Sequence, residues 1–277
     1  MKTILVPTDF SDASLKAVSV AKKLASLDHG IIHFLHLMDI PIDWIHMNKG
    51  QEKLYPDISK KVSEANSMLD ELVKDAESSD IEAHKHVHYN HQFSEITQYC
   101  KDISCDLIVM GSKGIHNTFD FLVGSVTQKV VRTASVPVVV VPSGAKTFNL
   151  QRIAFASDFQ DEALVPYYQV LELAQDAAAS VHLVYVNTPF DFINTPIMQT
   201  RMDAFDDESR DLKEQKTIYN YIHFEEGIAH FCKDHEIDLL VLITHGKKNL
   251  PRLLGGSFTE SVISHSKIPV MSINLAP

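Results

Sequence analysis

The chain has 277 residues, 45% of them hydrophobic, enough for two ordinary domains with a core each. A formal net charge of -11 argues against non-specific binding to nucleic acid, which needs a basic face, and against binding to an anionic membrane. Cys100, Cys105 and Cys232 are odd in number and not in CxxC spacing, which argues against a disulfide framework and for a reducing cytoplasm. The opening MKTILVPTDF is unlike a signal peptide, and the longest apolar tract, VPVVVV at 136–141, is too short for a bilayer span, so a soluble cytoplasmic protein is expected.

In chain order, TILVPT is a continuous apolar run, as in a strand buried on both faces. A helix is expected from Asp12 to Leu27, with Leu15, Val18, Ala21 (or Lys22) and Ala25 inward. IIHFLHL is the second strand. Ile58, Val62, Ala65, Leu69, Leu72 and Ala76 keep the three/four spacing of a long amphipathic helix. IEAHKHVHY is the third strand, and FSEITQYCKDI a helix facing in through Phe93, Ile96, Cys100 and Ile103. DLIVMG is the fourth strand, Ser125 to Ala134 a helix, and VPVVVV the fifth strand. Such alternation implies a parallel sheet covered by helices on both faces.

The chain then repeats itself. ILVPTDFSDASL at 4–15 resembles IAFASDFQDEAL at 153–164, which sets Asp9 on Asp158 and His33 on His182 at an offset of 149. GSVTQKVVRTASVPV at 124–138 resembles GSFTESVISHSKIPV at 256–270 at an offset of 132, so the second copy is 17 residues shorter (149 − 132). The expected organisation is a first domain of 1–143, a linker of 144–148 within PSGAKTFNLQ, and a second domain of 149–277.

Ligands of open α/β sheets sit beyond the carboxyl ends of strands, where strand order reverses. Two strand ends carry special residues: Pro7-Thr8-Asp9-Phe10 after the first, and Gly111-Ser112-Lys113-Gly114 after the fourth, with Gly124-Ser125 opening the next helix. If those strands are neighbours, all converge on one crevice. Glycine loops let backbone N–H groups approach an anion, and a helix N-terminus adds partial positive charge, which suits a phosphate chain. Asp9 would accept from ribose hydroxyls or base donors, while Leu37, Val109 and Met110 offer apolar contact to a base. There is no G-x4-G-K-[ST] and no G-x-G-x-x-G after the first strand.

ILVPTDFS, DLIVMGSKG, the nine residues 115–123, GSVTQKVV and VPVVVV together resemble a universal stress protein domain, and the whole chain resembles a tandem of two. The resemblance implies two doubly wound five-stranded parallel-sheet domains of order 3-2-1-4-5, with helices on both faces. For members with the glycine motif it implies binding of ATP or another adenine nucleotide, with magnesium as an optional companion. Asp9 would then bind the adenosine part, Leu37 would lie beside adenine, and Gly111, Gly114, Gly124 and Ser125 would hold ribose and phosphates. Pro7, Thr8, Met110, Lys113, Val126 and Thr127 complete the candidate nucleotide-binding set. The fifth strands of the two halves would pair within one chain, Val138–Val141 against Val270–Ile273, as an internal pseudo-dimer, with a homodimer as a further option.

The second copy departs from this pattern. Gly246, Gly256 and Ser257 survive, but Ile243 stands where the first half has Gly111, and Ala156-Ser157 replace Pro7-Thr8 ahead of Asp158. If the glycine position needs a positive φ, isoleucine is strained there and intrudes on a ribose. Gly246, Gly255 and Gly256 then merely close turns, although Lys247, Lys248 and Arg252 could still attract an anion. Met198 and Met202, near Phe205, are expected to cover this second pocket, and DDESRD at 206–211 to be a solvated helix face.

His84, His86 and His88 alternate along the third strand and so share a face, followed by His91. No carboxylate or cysteine partner is fixed nearby, so zinc there is disfavoured against a solvated edge stripe. His116 is expected to be exposed, and Cys100 and Cys105 to be packing residues. The leading functional expectation is a nucleotide-binding stress protein acting as regulator or sensor, without a catalytic residue. The alternatives are a slow ATP hydrolase or phosphotransferase on the same scaffold, and a nucleotide-free interaction scaffold.

Overall fold

The computed structural model of the chain describes residues 2–40, 55–89, 93–113, 123–205, 214–244 and 256–275. The first half runs β1 (Thr3–Pro7), α1 (Asp12–Asp28), β2 (Ile31–Leu37), α2 (Pro56–Glu77), β3 (Ala83–His88), α3 (Phe93–Asp102), β4 (Leu107–Gly111), α4 (Ser125–Thr133) and β5 (Val138–Val141). The second runs β6 (Arg152–Ala156), a 3₁₀ turn (Asp161–Ala163), α5 (Leu164–Ala177), β7 (Ser180–Asn187), α6 (Thr195–Asp203), β8 (Glu214–Asn220), α7 (Phe224–Asp234), β9 (Leu239–Thr244), α8 (Gly256–His265) and β10 (Val270–Asn274).

The ten strands form one sheet of order β3-β2-β1-β4-β5-β10-β9-β6-β7-β8. Each half has the order 3-2-1-4-5 with parallel neighbours. The halves meet antiparallel, Val140 opposite Val270, Val139 opposite Met271 and Val138 opposite Ser272. Each fifth strand thereby covers the apolar edge the other would leave open. Two apolar layers follow from the alternation of side chains along the strands. Ile4, Val6, Phe34 and Val109 join Phe155, Leu183 and Val241 on the face covered by α1, α2 and α5. Leu5, Leu35, Ile108 and Met110 join Ala154, Val184 and Phe231 on the other face. Both layers are continuous across the two halves.

α1 starts where Ser11 accepts a hydrogen bond from Ser14 N, and ends at His29 in the left-handed region, whose N–H donates to Ala25 O. Of the expected stripe, Val18, Ala21 and Ala25 are buried, together with Ala13, Ala17, Val20 and Leu24, whereas Leu15 is 40% exposed. Leu15 lies about 200° around the helix from Ala13. The small residues face in because the helix lies close against the middle of the sheet. α2 buries Ala65, Leu69 and Ala76, with Ile58, Val62 and Leu72 half-buried.

The expectation of no disulfide is overturned: Cys100 and Cys105 are bonded to each other, both buried. The helix end explains it. Ser104 takes a left-handed conformation, Ser104 N donates to Lys101 O, and Cys105 N donates to Cys100 O at 2.8 Å. This helix stop brings the side chains at its two ends into contact, ordinarily an apolar pair. The second half keeps the same stop, with Glu236 left-handed and Ile237 N donating to Cys232 O. There the pair is Cys232 and Ile237; Cys232 is free, and burial pushes its thiol pKa up to about 12. No helix of the described residues is long and apolar enough to cross a membrane.

Candidate functional site

The chain steps outward from β1 to β2 to β3 and then returns to β4 on the other side of β1, so strand order reverses between β1 and β4. The two special strand ends are therefore neighbours. On the β1 side, Pro7 is buried and Thr8 N donates to Leu35 O. Thr8 Oγ1 accepts from Phe10 N at 3.1 Å and lies 3.1 Å from Ser14 Oγ. Phe10 sits at φ 62, so the chain turns sharply there. Half-buried Asp9 accepts at Oδ1 from Ser11 N (3.1 Å) and Ser11 Oγ (2.6 Å). Ser11 Oγ also lies 3.4 Å from the carbonyl oxygen of Lys113, which ties this turn to the end of β4.

On the β4 side, Ser112 N donates to Val141 O and Gly124 N to Ser112 O, which closes the stem of the connection from β4 to α4. Thr127 Oγ1, buried, donates to Gly111 O at 3.0 Å and clamps α4 to the strand. That hydroxyl braces the site from behind. α4 begins with Gly124 at its cap and no side-chain cap. Its first N–H groups, at Ser125, Val126 and Thr127, have no acceptor within the helix. Ser125 is exposed at this positive helix end, and Lys113, next in the chain to the Ser112 that accepts from Gly124 N, is half-buried. Leu37 is half-buried at the end of β2. Val109 and Met110 are enclosed in the two apolar layers, not turned to the crevice. Gly114 and His116 lie outside the described residues.

Gly111 is needed for a reason other than the expected positive φ. It does not occupy the left-handed region; a Cβ there would stand 2.7 Å from the carbonyl carbon of Ala13 and 2.8 Å from Ser14 N. The absent side chain is what lets the first turn of α1 lie against the end of β4. The expected strain at Ile243 is likewise not found. Ile243 is 2% exposed and pairs in regular register with Ile273. The corresponding helix instead opens as the 3₁₀ turn Asp161–Ala163 before α5 begins at Leu164. The segment a residue at 243 would crowd is thus the segment whose winding differs between the halves.

The β6 end repeats the β1 turn: Ser157 Oγ accepts from Phe159 N at 3.0 Å, Phe159 has φ 53, and Asp158 accepts from Gln160. Here Phe159 is buried against Phe155 and Phe205, with Met198 and Met202 fully buried in the same layer. The methionines are core residues rather than a pocket cover. Residues 206–211, Gly246, Lys247, Lys248, Arg252 and Gly255 lie outside the described residues. α8 does begin at Gly256, ahead of Ser257.

His84, His86 and His88 share one face, and register adds His33 beside His84. His33 and His84 ring centroids are 4.9 Å apart, and His86 stacks on Tyr99 at 4.5 Å. Glu82 pairs with His84 and Glu95 with His88. Among the described residues no group of three or more such side chains could hold a metal ion. His91 lies outside them. Sequence reasoning passed over His36, on the opposite face of β2. Its Nδ1 is 2.7 Å from Thr8 O, and its ring centroid is 4.7 Å from that of Phe10. The signal was present in the parallel pairing of the first two strands, which sets His36 beside Thr8.

Comparison with known proteins bears on this arrangement. The universal stress protein family model matches residues 1–142 and again 149–274. A universal stress protein of Methanocaldococcus jannaschii is 28% identical over 152 residues, 50% of this chain and 94% of that protein. One of Synechocystis is 23% identical over 292 aligned positions, spanning 98% of this chain and 99% of the relative. The crystal structure of a universal stress protein from Archaeoglobus fulgidus superposes with a TM-score of 0.77 over 99% of this chain and 98% of its own, at 19% identity, a likeness of fold. With both halves matched and the strand order in place, the chain belongs to the universal stress protein family as a tandem of two of its domains.

Proposed function

We propose that the first half binds ATP or a related adenine nucleotide in the crevice between β1 and β4, and that the protein acts as a nucleotide-dependent regulator or sensor. The observation that carries this reading is the uncapped N-terminus of α4, pinned to the end of β4 through Gly124 N and Thr127 Oγ1 and facing the Asp9 turn through the Ser11–Lys113 contact. A helix end with free N–H groups and partial positive charge suits phosphate, and a carboxylate across from it suits ribose hydroxyls. Asp9 is held by Ser11 in an arrangement for recognition, so a regulatory role is favoured over hydrolysis. The second half is proposed not to bind, because Ile243 takes the place of Gly111 and the residues around Phe159 are packed as core.

The test is calorimetric titration with ATP after removal of any small molecule that denaturation releases. One site per chain is expected. Asp9→Ala should weaken binding roughly ten- to a hundredfold, the worth of a charge-assisted hydrogen bond of about 1.5–3 kcal/mol. Gly124→Val should abolish most binding and Gly256→Val should change little. Two equal sites, lost equally by either glycine substitution, would show that the second half binds despite Ile243.

A further inference from the structure

We propose that His36 is a positioning residue of the first-half site: it holds the Thr8–Asp9–Phe10 turn in the shape that presents Asp9 to the adenosine part of a nucleotide. This deepens the functional reading above and rests on it. The register of β1 with β2 sets Pro7 opposite Leu35, and so sets His36 beside Thr8. His36 Nδ1 lies 2.7 Å from the Thr8 carbonyl oxygen. A carbonyl oxygen only accepts, so Nδ1 carries the hydrogen whether the ring is neutral or protonated, and the neutral ring is the Nδ1–H tautomer. The same imidazole packs on the ring of Phe10, 4.7 Å between centroids. His36 therefore grips the residue before Asp9 through its backbone and the residue after it through its side chain.

The grip matters because the turn is strained. Phe10 has φ 62, a conformation bulky residues rarely keep unless their surroundings impose it. The second half contains the same turn, with Phe159 at φ 53 and the same hydroxyl-to-N–H bond from the residue two before. It is stabilised differently there. Phe159 is 2% exposed and packs edge-on to Phe205 at 5.1 Å, whereas Phe10 is only half-buried. The residue beside Ser157 is Tyr185, which directs its hydroxyl to Asp191 O. One half holds its turn with an aromatic core, the other with an imidazole. Loss of that imidazole should loosen the Asp9 turn in the first half alone.

The experiment compares ATP affinity and thermal stability of the full chain and its His36→Leu and His36→Asn variants. His36→Leu removes the donor and the ring contact; affinity should fall roughly three- to tenfold, the worth of one ordinary hydrogen bond. His36→Asn places an amide N–H where Nδ1–H stood and should recover most of the affinity, which a role in packing alone does not explain. Imidazole nitrogen spectra of the unmodified protein should show His36 in the Nδ1–H form, a readout that needs no substitution. No ATP binding by the unmodified chain would remove the functional reading and this role with it. Binding by the unmodified chain with unchanged affinity in folded His36→Leu, or an Nε2–H tautomer, would overturn the role of His36 alone.

Discussion

Gly111→Ala is the smallest substitution that tests how the crevice is built. The added Cβ would meet the Ala13 carbonyl carbon at 2.7 Å and Ser14 N at 2.8 Å, both backbone atoms that no rotamer change can move. Restoring an ordinary contact of 3.4 Å requires the first turn of α1 to withdraw by about 0.7 Å (3.4 − 2.7). That turn carries the hydrogen bonds between Ser14, Thr8 and Ser11, and Ser11 in turn holds Asp9. Overpacking of this kind costs about 1–3 kcal/mol. The reduced freedom of the unfolded chain offsets roughly 0.4–1 kcal/mol of it. A net loss of up to about 2.6 kcal/mol is expected, together with weaker ATP binding because the Asp9 turn moves with the helix. Urea denaturation followed by circular dichroism reads the first quantity and calorimetric titration the second. The control is Ile243→Ala, which should cost about 2–5 kcal/mol as a cavity and leave ATP affinity alone. A Gly111→Ala protein as stable as the original and equally able to bind would refute the account of why glycine stands there.

Three further outcomes are expected. Burial, reinforced by neighbouring histidines, holds His33 and His86 below the ordinary 6.5, and burial with His235 and Arg152 does the same for His182. The unfolded chain then binds more protons, so stability is full above pH 6.5 and is lost as pH falls through it. The urea midpoint should decline from about pH 7.5 to about pH 5.5, and less steeply in His33→Gln/His86→Gln; a midpoint that ignores pH would count against it. Residues 1–145, which contain the first family match at 1–142, should self-associate through the β5 edge that β10 covers in the full chain, and a monomer by light scattering at high concentration would contradict this. The Cys100–Cys105 bond closes so short a loop that the chain-entropy model assigns it about 2 kcal/mol. Reductant should lower the urea midpoint, and Cys105→Ile, which copies the Cys232–Ile237 pair, should remove that sensitivity; a midpoint indifferent to reductant in the unmodified protein would show the bond to be dispensable.

What the sequence made legible was local or repeated. IIHFLHL is read as a strand at its true limits, Ile31–Leu37, because a buried parallel strand is an unbroken apolar run set off by its neighbours. The duplication exposes the pseudo-two-fold pairing, since two copies of one apolar edge need a partner and each other supplies it. What the sequence did not reveal depends on groups brought together from a distance. Leu15 turns outward because α1 packs closely through alanines on several strands at once, a constraint periodicity alone does not carry. Cys100 and Cys105 meet through a helix stop whose left-handed residue is a serine, so the usual glycine marker is absent. Glycine at 111 answers a helix almost a hundred residues earlier, a contact that a reading confined to its own loop does not reveal.

The two halves share a sheet and both apolar layers, yet the surroundings of their first strand ends differ. Asp9 and Asp158 end the same kind of turn, each followed by a phenylalanine at positive φ. That strain persists in both copies although the surroundings of the two turns have diverged. In the second half it is offset by burying Phe159 with Phe155 and Phe205, at a site whose neighbouring residue 243 also carries a buried side chain. In the first half the turn is held by polar contacts from Ser11, Thr8 and His36, and the residue equivalent to 243 is Gly111. Polar contacts hold Asp9 at the rim, with the α4 N-terminus nearby; an aromatic cluster makes its turn part of the core. Under the proposed function the same kind of turn serves recognition in one half and packing in the other, and a change at His36 or Gly111 should then separate the two roles where a change at Asp158 should not.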